Sequence, residues 1–259
     1  MRSCADYSAK IPNVNRLLCE AAQLQDMQAR SVLGRPIWGR DVRANDARLR
    51  VLVLGAIHGD EMSSSSLVFH WIAMAQTPTA DTPLPIHWRF IPALNPDGMF
   101  AKPARCVNAH GVDLNRNLPT RDWKPAFEDD SNNPGPAPAS EPETQALLGL
   151  MERYAPRAVI SIHSMKRYQI NCNGPAQEWS ERLAGVCGYP VTDDIGYPCP
   201  GSFGTYSGAE MQIPTITLEV DSQSPREEVL RVHVPVLEAC LLYTSDAADD
   251  RLCVDLGGR

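Results

Sequence analysis

The ends of three apolar segments in this sequence carry histidine and glutamate, residue types that can hold a metal ion. His58 and Glu61 stand three residues apart directly after the first segment, His163 closes the second, and Glu219 lies near the end of the third. Zinc accepts imidazole nitrogen and carboxylate oxygen, and a catalytic zinc site combines three protein ligands with an open water position. These residue types make a hydrolytic zinc site a specific candidate.

Each residue also has an ordinary structural interpretation. His58 with Glu61 could be a surface or capping pair, and His163 could be a histidine satisfied within the core. Glu219 is harder to explain in this way, because burying a carboxylate within an apolar segment is costly unless a cation or a catalytic task accompanies it. Active sites of open α/β sheets lie at the carboxyl ends of strands, which favours one shared site for the three segment ends.

A second candidate feature is the segment from Gly111 to Asn117, in which Asn115 stands beside Arg116. A guanidinium group can bind a carboxylate through two parallel hydrogen bonds, so this pair suits a free carboxylate on a substrate. Arg105 lies just upstream of this segment, in the same irregular excursion, and by itself could be a solvated surface charge.

Strands and helices must bring these residues together, and their patterns alternate along the chain. The apolar segments predict strands over 48–55, 86–91, 158–163 and 214–220, and the helical patterns cover 62–76, 140–154 and 225–241. This alternation favours a mostly parallel sheet covered on both faces. Ser140 is the predicted N-cap of the second helix, with Pro142 in its first turn and Glu143 at the capping-box position.

The remaining segments have weaker patterns. Residues 16–33 predict a weak amphipathic helix or an ordered lead-in, and 34–39 are rich in turn-forming residues. Residues 95–98, with the sequence Asn-Pro-Asp-Gly, predict a turn. Residues 100–140 predict a long irregular excursion, and ordered loops of that length are usually functional.

Composition limits the function further. The chain has 259 residues and a net charge of −7, which argues against nucleic acid as a partner and gives no reason to expect an anionic membrane. No apolar run is long enough to span a membrane, and the first ten residues lack the apolar core of a signal peptide, so we expect a cytoplasmic protein. The eight cysteines form no C-x-x-C pair, and in such a compartment we expect them to be reduced.

In their order, the motifs resemble those of the zinc carboxypeptidase family. The resemblance covers roughly residues 45 to 240 and is carried by the segments 58–61, 95–98, 113–117, 162–164 and 218–219, together with Arg105. It implies a three-layer α/β/α sandwich around a mixed, mostly parallel sheet. It also implies one zinc ion per chain on His58, Glu61 and His163, with Glu219 as the general base.

The same resemblance assigns the residues that would bind substrate. Arg105 matches the arginine that polarises the scissile carbonyl, and Asn115 with Arg116 matches the clamp on the terminal carboxylate. Tyr197 matches the tyrosine that covers the substrate, with Tyr206 as the alternative.

Within the family, three short segments resemble the subgroup that cleaves the γ-D-glutamyl–meso-diaminopimelate amide of recycled cell-wall peptides. These segments are 111–119, 140–144 and 197–202. The subgroup is cytoplasmic, and its substrate is a murein tripeptide. The far end of diaminopimelate is zwitterionic and needs a polar pocket, for which the candidates are Lys166, Arg167, Asp193 and Asp194.

Two other functions remain open at this stage. One is an N-acyl amino acid deacylase of the succinylglutamate desuccinylase or aspartoacylase type, since those enzymes share the His-Gly-x-Glu and Asp-Leu-Asn-Arg motifs. Asn95-Pro-Asp-Gly98 and the Leu-Glu-Val sequence around Glu219 favour the peptidase. The other is a catalytically inactive module that uses the same fold to bind peptides.

The pattern predicts one domain over residues 1–239, of which 1–45 form a lead-in. Residues 240–259 have no clear helical or strand period in their second half. Their first half looks like the translation of a transposon-end adapter used in DNA library preparation. We therefore expect this tail to be foreign to the native protein.

Overall fold

The structure is a computed structural model that describes residues 2–77, 86–125, 130–165 and 168–221, together with residues 227, 231, 232, 236 and 237. Within this part of the chain, no helix is both long and apolar enough to cross a membrane.

A mixed sheet of eight strands forms the centre of the described part of the chain. Its strands are β1 (Gln25–Arg30), β2 (Pro36–Arg43), β3 (Leu49–Gly55), β4 (Ile86–Ile91), β5 (Ala158–Met165), β6 (Gln169–Asn173), β7 (Val191–Thr192) and β8 (Thr215–Asp221). They are arranged in the order β1-β2-β4-β3-β5-β8-β6-β7. The central strands β4, β3, β5 and β8 run parallel, whereas β2 pairs antiparallel with β4 and β6 pairs antiparallel with β8.

Helices flank the sheet. They are α1 (Arg2–Lys10), α2 (Arg16–Ala21), α3 (Met62–Gln76), α4 (Pro96–Phe100), α5 (Pro142–Tyr154) and α6 (Gln177–Cys187). Short 3-10 helices span Leu114–Arg116 and Asp130–Asn132, and a π-helical segment spans Thr205–Glu210.

Two apolar clusters lie on opposite faces of the sheet, as expected from strands whose successive side chains point in opposite directions. In β3, Val51 and Val53 pack in the cluster that contains α3, whereas Leu52 and Leu54 pack in the cluster that contains α5. Both faces are therefore covered, and the predicted three-layer α/β/α fold is confirmed.

The predicted elements around the candidate site match the structure closely. The helix 62–76 and the strand 86–91 have the predicted bounds, and the other three predicted strands differ by one or two residues at their ends. These segments have strong hydrophobic patterns, which is why the sequence alone locates them.

For residues 16–33 the sequence predicted a weak amphipathic helix or an ordered lead-in, and the helix was wrong over much of this length. The chain forms α2 and then β1, and the turn-rich segment 34–39 lies mostly inside β2. Strand β1 exposes most of its side chains, so its sequence lacks the apolar pattern of a buried strand. Among the described strands it pairs with β2 alone, so this lead-in extends the sheet at its edge.

Two local predictions also need correction. The residue that caps α5 is Glu141 and not Ser140, whose hydroxyl instead donates a hydrogen bond to Glu141 Oε1 over 2.8 Å. The predicted turn at 95–98 is the start of α4, where the Asn95 side chain accepts a hydrogen bond from the Gly98 amide over 2.8 Å. Asparagine favours both turns and N-caps, so its sequence signal does not separate them.

The expectation that all cysteines are reduced was wrong for one pair. Cys4 in α1 and Cys19 in α2 form a disulfide, and both are buried against the apolar cluster that contains α3. Cys106, Cys172, Cys187 and Cys199 are free thiols. The expectation rested on the assumed cellular compartment, which says nothing about two cysteines that packing brings together.

Some predictions fall outside the described residues. The helix predicted over 225–241 lies mostly there, although residues 231–232 and 236–237 are helical. Lys166, Arg167 and the tail 240–259 also lie outside, so the predictions for them stay open.

Candidate active site

The candidate site lies on one face of the sheet, where two parallel strands change from apolar to polar side chains. In β8, Ile216, Leu218 and Val220 belong to the apolar cluster on the α3 side. The alternating side chains Thr217 and Glu219 therefore point to the other face. His163 in β5 lies opposite Glu219 in the register, so the parallel pairing sets the two side by side.

The side chains of His58, Glu61 and His163 converge on one point beside Glu219. His58 Nδ1 lies 2.9 Å from Glu61 Oε1 and 3.3 Å from His163 Nδ1, and His163 Nδ1 lies 3.3 Å from Glu61 Oε2. Ligands of tetrahedral zinc with bonds of about 2.0–2.1 Å stand about 3.3 Å apart, so the donor atoms fit such an ion. Glu61 Oε2 is also buried without a hydrogen-bond partner, which a cation would supply.

In each histidine, Nε2 lies on the side of the ring away from the convergence point and contacts a further polar group. His58 Nε2 lies 3.2 Å from Asp113 Oδ1, and His163 Nε2 lies 3.1 Å from Ser161 Oγ. When Nδ1 faces a metal, the proton resides on Nε2, which can then donate to the carboxylate or the hydroxyl. Such outer contacts fix the tautomer and ring orientation of metal-binding histidines.

Neighbouring charges shift the pKa values of Glu61 and His58 in opposite directions. Burial by itself would raise the pKa of Glu61, but His58 and His163 together lower it to about 2. Burial would lower the pKa of His58, whereas Glu61 and Asp113 raise it well above its ordinary value. The carboxylate Glu61 is thus held in the ionised form that a metal ligand needs.

The pKa of Glu219 shifts upward, opposite to that of Glu61. Burial and the nearby charge of Glu61 raise its pKa to about 7, against the lowering effect of His163 and His58. A general base works best when its pKa lies near the operating pH. The environment of Glu219 is therefore suited to proton transfer.

Asn115 and Arg116 also lie at this cavity, on the short 3-10 helix that follows Asp113. The Asp113 side chain caps this helix by accepting a hydrogen bond from the Asn115 amide over 2.8 Å. Arg116 is only 7% exposed, and its Nη1 is buried without a hydrogen-bond partner. A buried guanidinium with an unused donor is suited to an anionic ligand.

The three candidate metal ligands, Glu219 and the clamp residues line one cavity of about 240 Å³. The residues with predicted roles that line it are His58, Glu61, His163, Glu219, Asn115, Arg116, Tyr197, Asp193 and Asp194. Tyr197 lies near the clamp, with the Arg116 guanidinium carbon 5.8 Å from its ring centre. Its alternative, Tyr206, packs instead against the apolar cluster on the α5 side.

Arg105 is not among the described residues that line this cavity. Its side chain is exposed, and its backbone amide donates a hydrogen bond to the Gly98 carbonyl over 3.0 Å. The proposed contact of Arg105 with the scissile carbonyl therefore stays a prediction.

Several polar residues at the site had no role predicted from the sequence. Asp113 belongs to the segment 113–117, but its contact with His58 depends on how the irregular segment folds back. Asn171 and Asn173 line the cavity from β6, a strand that was not predicted. The alternation of polar and apolar residues over 169–173 was the available signal, since it is typical of a strand with one polar face.

Comparison with known proteins decides the family. The sequence profile described as zinc carboxypeptidase matches residues 13–185, about two thirds of the chain. The chain belongs to the zinc carboxypeptidase family. It is therefore a metallopeptidase, and the described geometry includes a His/Glu/His group that could hold the metal.

Relatives within the family are similar over most of the chain. Murein peptide amidase A from Escherichia coli K12 is 34% identical over 204 residues, which cover 73% of this chain and 78% of that protein. Murein peptide amidase A from Vibrio campbellii is 30% identical over 231 residues, covering 84% of this chain and 87% of that protein.

Solved structures agree with this placement. The murein-tripeptide amidase from Escherichia coli O157 has a TM-score of 0.68 at 30% identity, with 84% of this chain and 91% of that chain covered. Bovine thrombin-activatable fibrinolysis inhibitor has a TM-score of 0.74 at 17% identity, with 90% and 93% covered, and shows a shared fold alone. These relatives do not favour the acylase or the inactive binding module.

Proposed function

We propose that the chain is a zinc-dependent amidase that hydrolyses the γ-D-glutamyl–meso-diaminopimelate bond of murein peptides. The observation that carries this proposal is the convergence of His58, Glu61 and His163 beside the buried carboxylate of Glu219, in one cavity with the Arg116 guanidinium. Relatives named murein peptide amidase, 30–34% identical to this chain, supply the substrate class.

The donor set supports zinc as the metal, at one ion per chain. Two imidazole nitrogens and one carboxylate are a ligand set found in zinc hydrolases. Zinc held by them would supply an activated water and an electrophile for the scissile carbonyl.

The protein's own residues would handle protons and substrate. Glu219 accepts a proton from the attacking water and passes it to the leaving amine nitrogen, which its pKa of about 7 allows. Arg116, with Asn115 beside it, binds the free carboxylate next to that amine and so fixes which bond lies at the metal. We also propose that Arg105 turns toward the carbonyl oxygen and that Tyr197 covers the bound peptide.

We further propose that the enzyme acts in the cytoplasm in the recycling of cell-wall peptides. The support is the resemblance to the cytoplasmic subgroup of the family. The Cys4–Cys19 disulfide is a counter-argument, because disulfides are rare in reducing compartments. Fractionation of cells that express the protein with an epitope tag would decide the location.

The substrate assignment can be tested by mass spectrometry. Zinc-loaded protein should release diaminopimelate from L-Ala-γ-D-Glu-meso-diaminopimelate faster than it cleaves ordinary carboxyl-terminal dipeptides or N-acyl amino acids. Faster cleavage of N-acyl amino acids would favour the deacylase, and bound zinc without turnover on any of these compounds would favour the inactive module.

The catalytic assignment rests on Glu219. Glu219→Gln should keep zinc but lower kcat by about 10²- to 10⁴-fold, which is the usual contribution of a positioned acid–base group. Zinc content by atomic absorption and single-turnover rates would measure both effects. Glu152→Gln, an exposed change on α5, is the matched control and should behave like the unmodified protein. A near-normal rate in Glu219→Gln would show that another group is the base.

A further inference from the structure

His58 has a second group of metal-binding side chains beside it, on the side of the ring that faces away from Glu61. One ring nitrogen of His58, Cys106 Sγ and a carboxylate oxygen of Asp113 lie within 4.8 Å of one another. The nitrogen on this side is Nε2, which lies 3.2 Å from Asp113 Oδ1. These three residues are called the thiol cluster below.

The thiol cluster lies behind His58, outside the substrate cavity. His58 lines that cavity, but Cys106 and Asp113 are not among the described residues that do. Asp113 is buried, whereas Cys106 is a half-buried free thiol. A cation can therefore reach the cluster from the Cys106 side without taking the space of a bound peptide.

Backbone contacts hold Cys106 beside His58. The Cys106 carbonyl accepts hydrogen bonds from the Gly59 amide over 3.2 Å and from Asn95 Nδ2 over 2.9 Å. Gly59 follows His58 in the chain, and a Cβ on Gly59 would come within 2.3 Å of the Gly98 carbonyl carbon. The two segments are thus fastened together closely, so the cluster is already assembled before any ion binds.

Negative charge around the thiol cluster favours a cation. Asp113 is a buried carboxylate, and the charge of the exposed Asp60 carboxylate also acts on Cys106. The Arg116 guanidinium faces the other oxygen of Asp113, with Nε 3.8 Å from Oδ2. Asp113 Oδ1 therefore stays directed toward His58 and the thiol.

The donor atoms indicate which cation would bind. Imidazole nitrogen, thiolate sulfur and carboxylate oxygen are all ligands of zinc, at about 2.0–2.3 Å. The sulfur makes this set softer than the His/Glu/His group, because thiolates select thiophilic ions. We propose that the thiol cluster is a second cation site, which binds a thiophilic divalent ion such as zinc or cadmium and shares His58 with the first site. Binding releases the Cys106 thiol proton and the His58 Nε2 proton to solvent.

Sharing one imidazole should couple the two ions. Each ion adds positive charge beside the other, so filling one site should weaken binding at the other, and the effect must be reciprocal. His163→Asn removes a ligand of the first ion alone and should leave the second site at least as tight. Cys106→Ser should remove the second site and spare the first.

Cadmium titration of the zinc-loaded protein tests the second site. Cadmium–thiolate bonds have an ultraviolet charge-transfer band, which the His/Glu/His group cannot produce because it has no sulfur. We expect this band to saturate at one added equivalent in the unmodified protein and in His163→Asn, and to be lost in Cys106→Ser. Cys187→Ser removes another half-buried free thiol, outside the cavity lining, and is the matched control that should keep the band.

Alkylation gives a second measurement that needs no variant. Labelling of Cys106 by iodoacetamide, located by peptide mass spectrometry, should slow several-fold when cadmium is added, whereas labelling of Cys187 should not change. A band that survives in Cys106→Ser, a band lost from folded His163→Asn, or unchanged labelling of Cys106 would overturn the proposal. Neither measurement uses a substrate, so both outcomes are independent of whether the protein cleaves a murein peptide.

Discussion

Glu61 and Glu219 line the same cavity, yet their pKa values shift in opposite directions. Two histidines face Glu61 and lower its pKa to about 2, whereas burial and the charge of Glu61 raise the pKa of Glu219 to about 7. One carboxylate is thereby suited to binding a cation and the other to exchanging a proton. Asp113 adds a third role, because it contacts His58 and also caps the helix that carries Arg116.

The role of Asp113 gives a prediction at this scale. Asp113→Asn keeps an oxygen that can cap Asn115 but removes the charge facing His58 Nε2. We expect zinc affinity to fall about 10- to 100-fold, the usual effect of losing such an outer partner. Competition with a chromophoric chelator would measure it. An unchanged affinity would show that the Asp113 carboxylate is not needed to orient the histidine.

At the scale of elements, buried side chains join the irregular segment to the sheet. Glu143 in α5 accepts hydrogen bonds from the Val32 amide over 3.1 Å and from Asn108 Nδ2 over 3.1 Å. It thus connects the loop between β1 and β2 to the segment that also carries Asp113 and Arg116. Its pKa is raised by burial, against the lowering effect of these hydrogen bonds.

This shift predicts a pH dependence of stability. The pKa of Glu143 in the folded protein lies above its value in the unfolded chain, which is about 4.5. Its contribution to the free energy of unfolding is therefore fully present below about pH 4.5 and is lost as the pH rises through the folded-state pKa. Glu143→Gln cannot ionise, so its stability relative to the unmodified protein should improve between pH 4.5 and pH 8. Urea unfolding at both pH values would measure the change, with Glu152→Gln on the same helix as the control. A pH-independent difference would mean that the ionisation of Glu143 does not matter.

The disulfide gives a second prediction at the element scale. Cys4 and Cys19 are 15 residues apart, and closing a loop of that length stabilises a folded chain by about 3 kcal/mol. The double variant Cys4→Ser/Cys19→Ser should have a free energy of unfolding lower by up to about that amount. Reductant should destabilise the unmodified protein but not the double variant. If reductant destabilised both proteins equally, the Cys4–Cys19 disulfide would be contradicted.

At the scale of the whole molecule, the metal would connect distant parts of the chain. His58 follows β3, His163 lies in β5 and Glu61 precedes α3, so one ion would bridge adjacent strands and a helix. Binding that occurs only in the folded state stabilises it by mass action.

Zinc removal should therefore lower stability as well as activity. At free zinc a thousandfold above the dissociation constant, the free energy of unfolding should exceed that of the metal-free protein by about 4 kcal/mol. Thermal or urea unfolding with chelator and with added zinc would show the difference. His163→Asn should abolish it, since one ligand is lost, and an equal response to zinc in that variant would place the metal elsewhere.

The sequence by itself determined the strands and helices with strong hydrophobic patterns, and with them the three ends that carry His58, His163 and Glu219. It could not locate β1, because an exposed edge strand has no apolar alternation to mark it, nor the contact of Asp113 with His58, because an irregular segment has no repeating geometry. Only the tertiary structure decided that the polar faces of β6 and β8 share one cavity with Arg116. Pairing register across strands fixes that arrangement, and register depends on contacts between residues far apart in the chain.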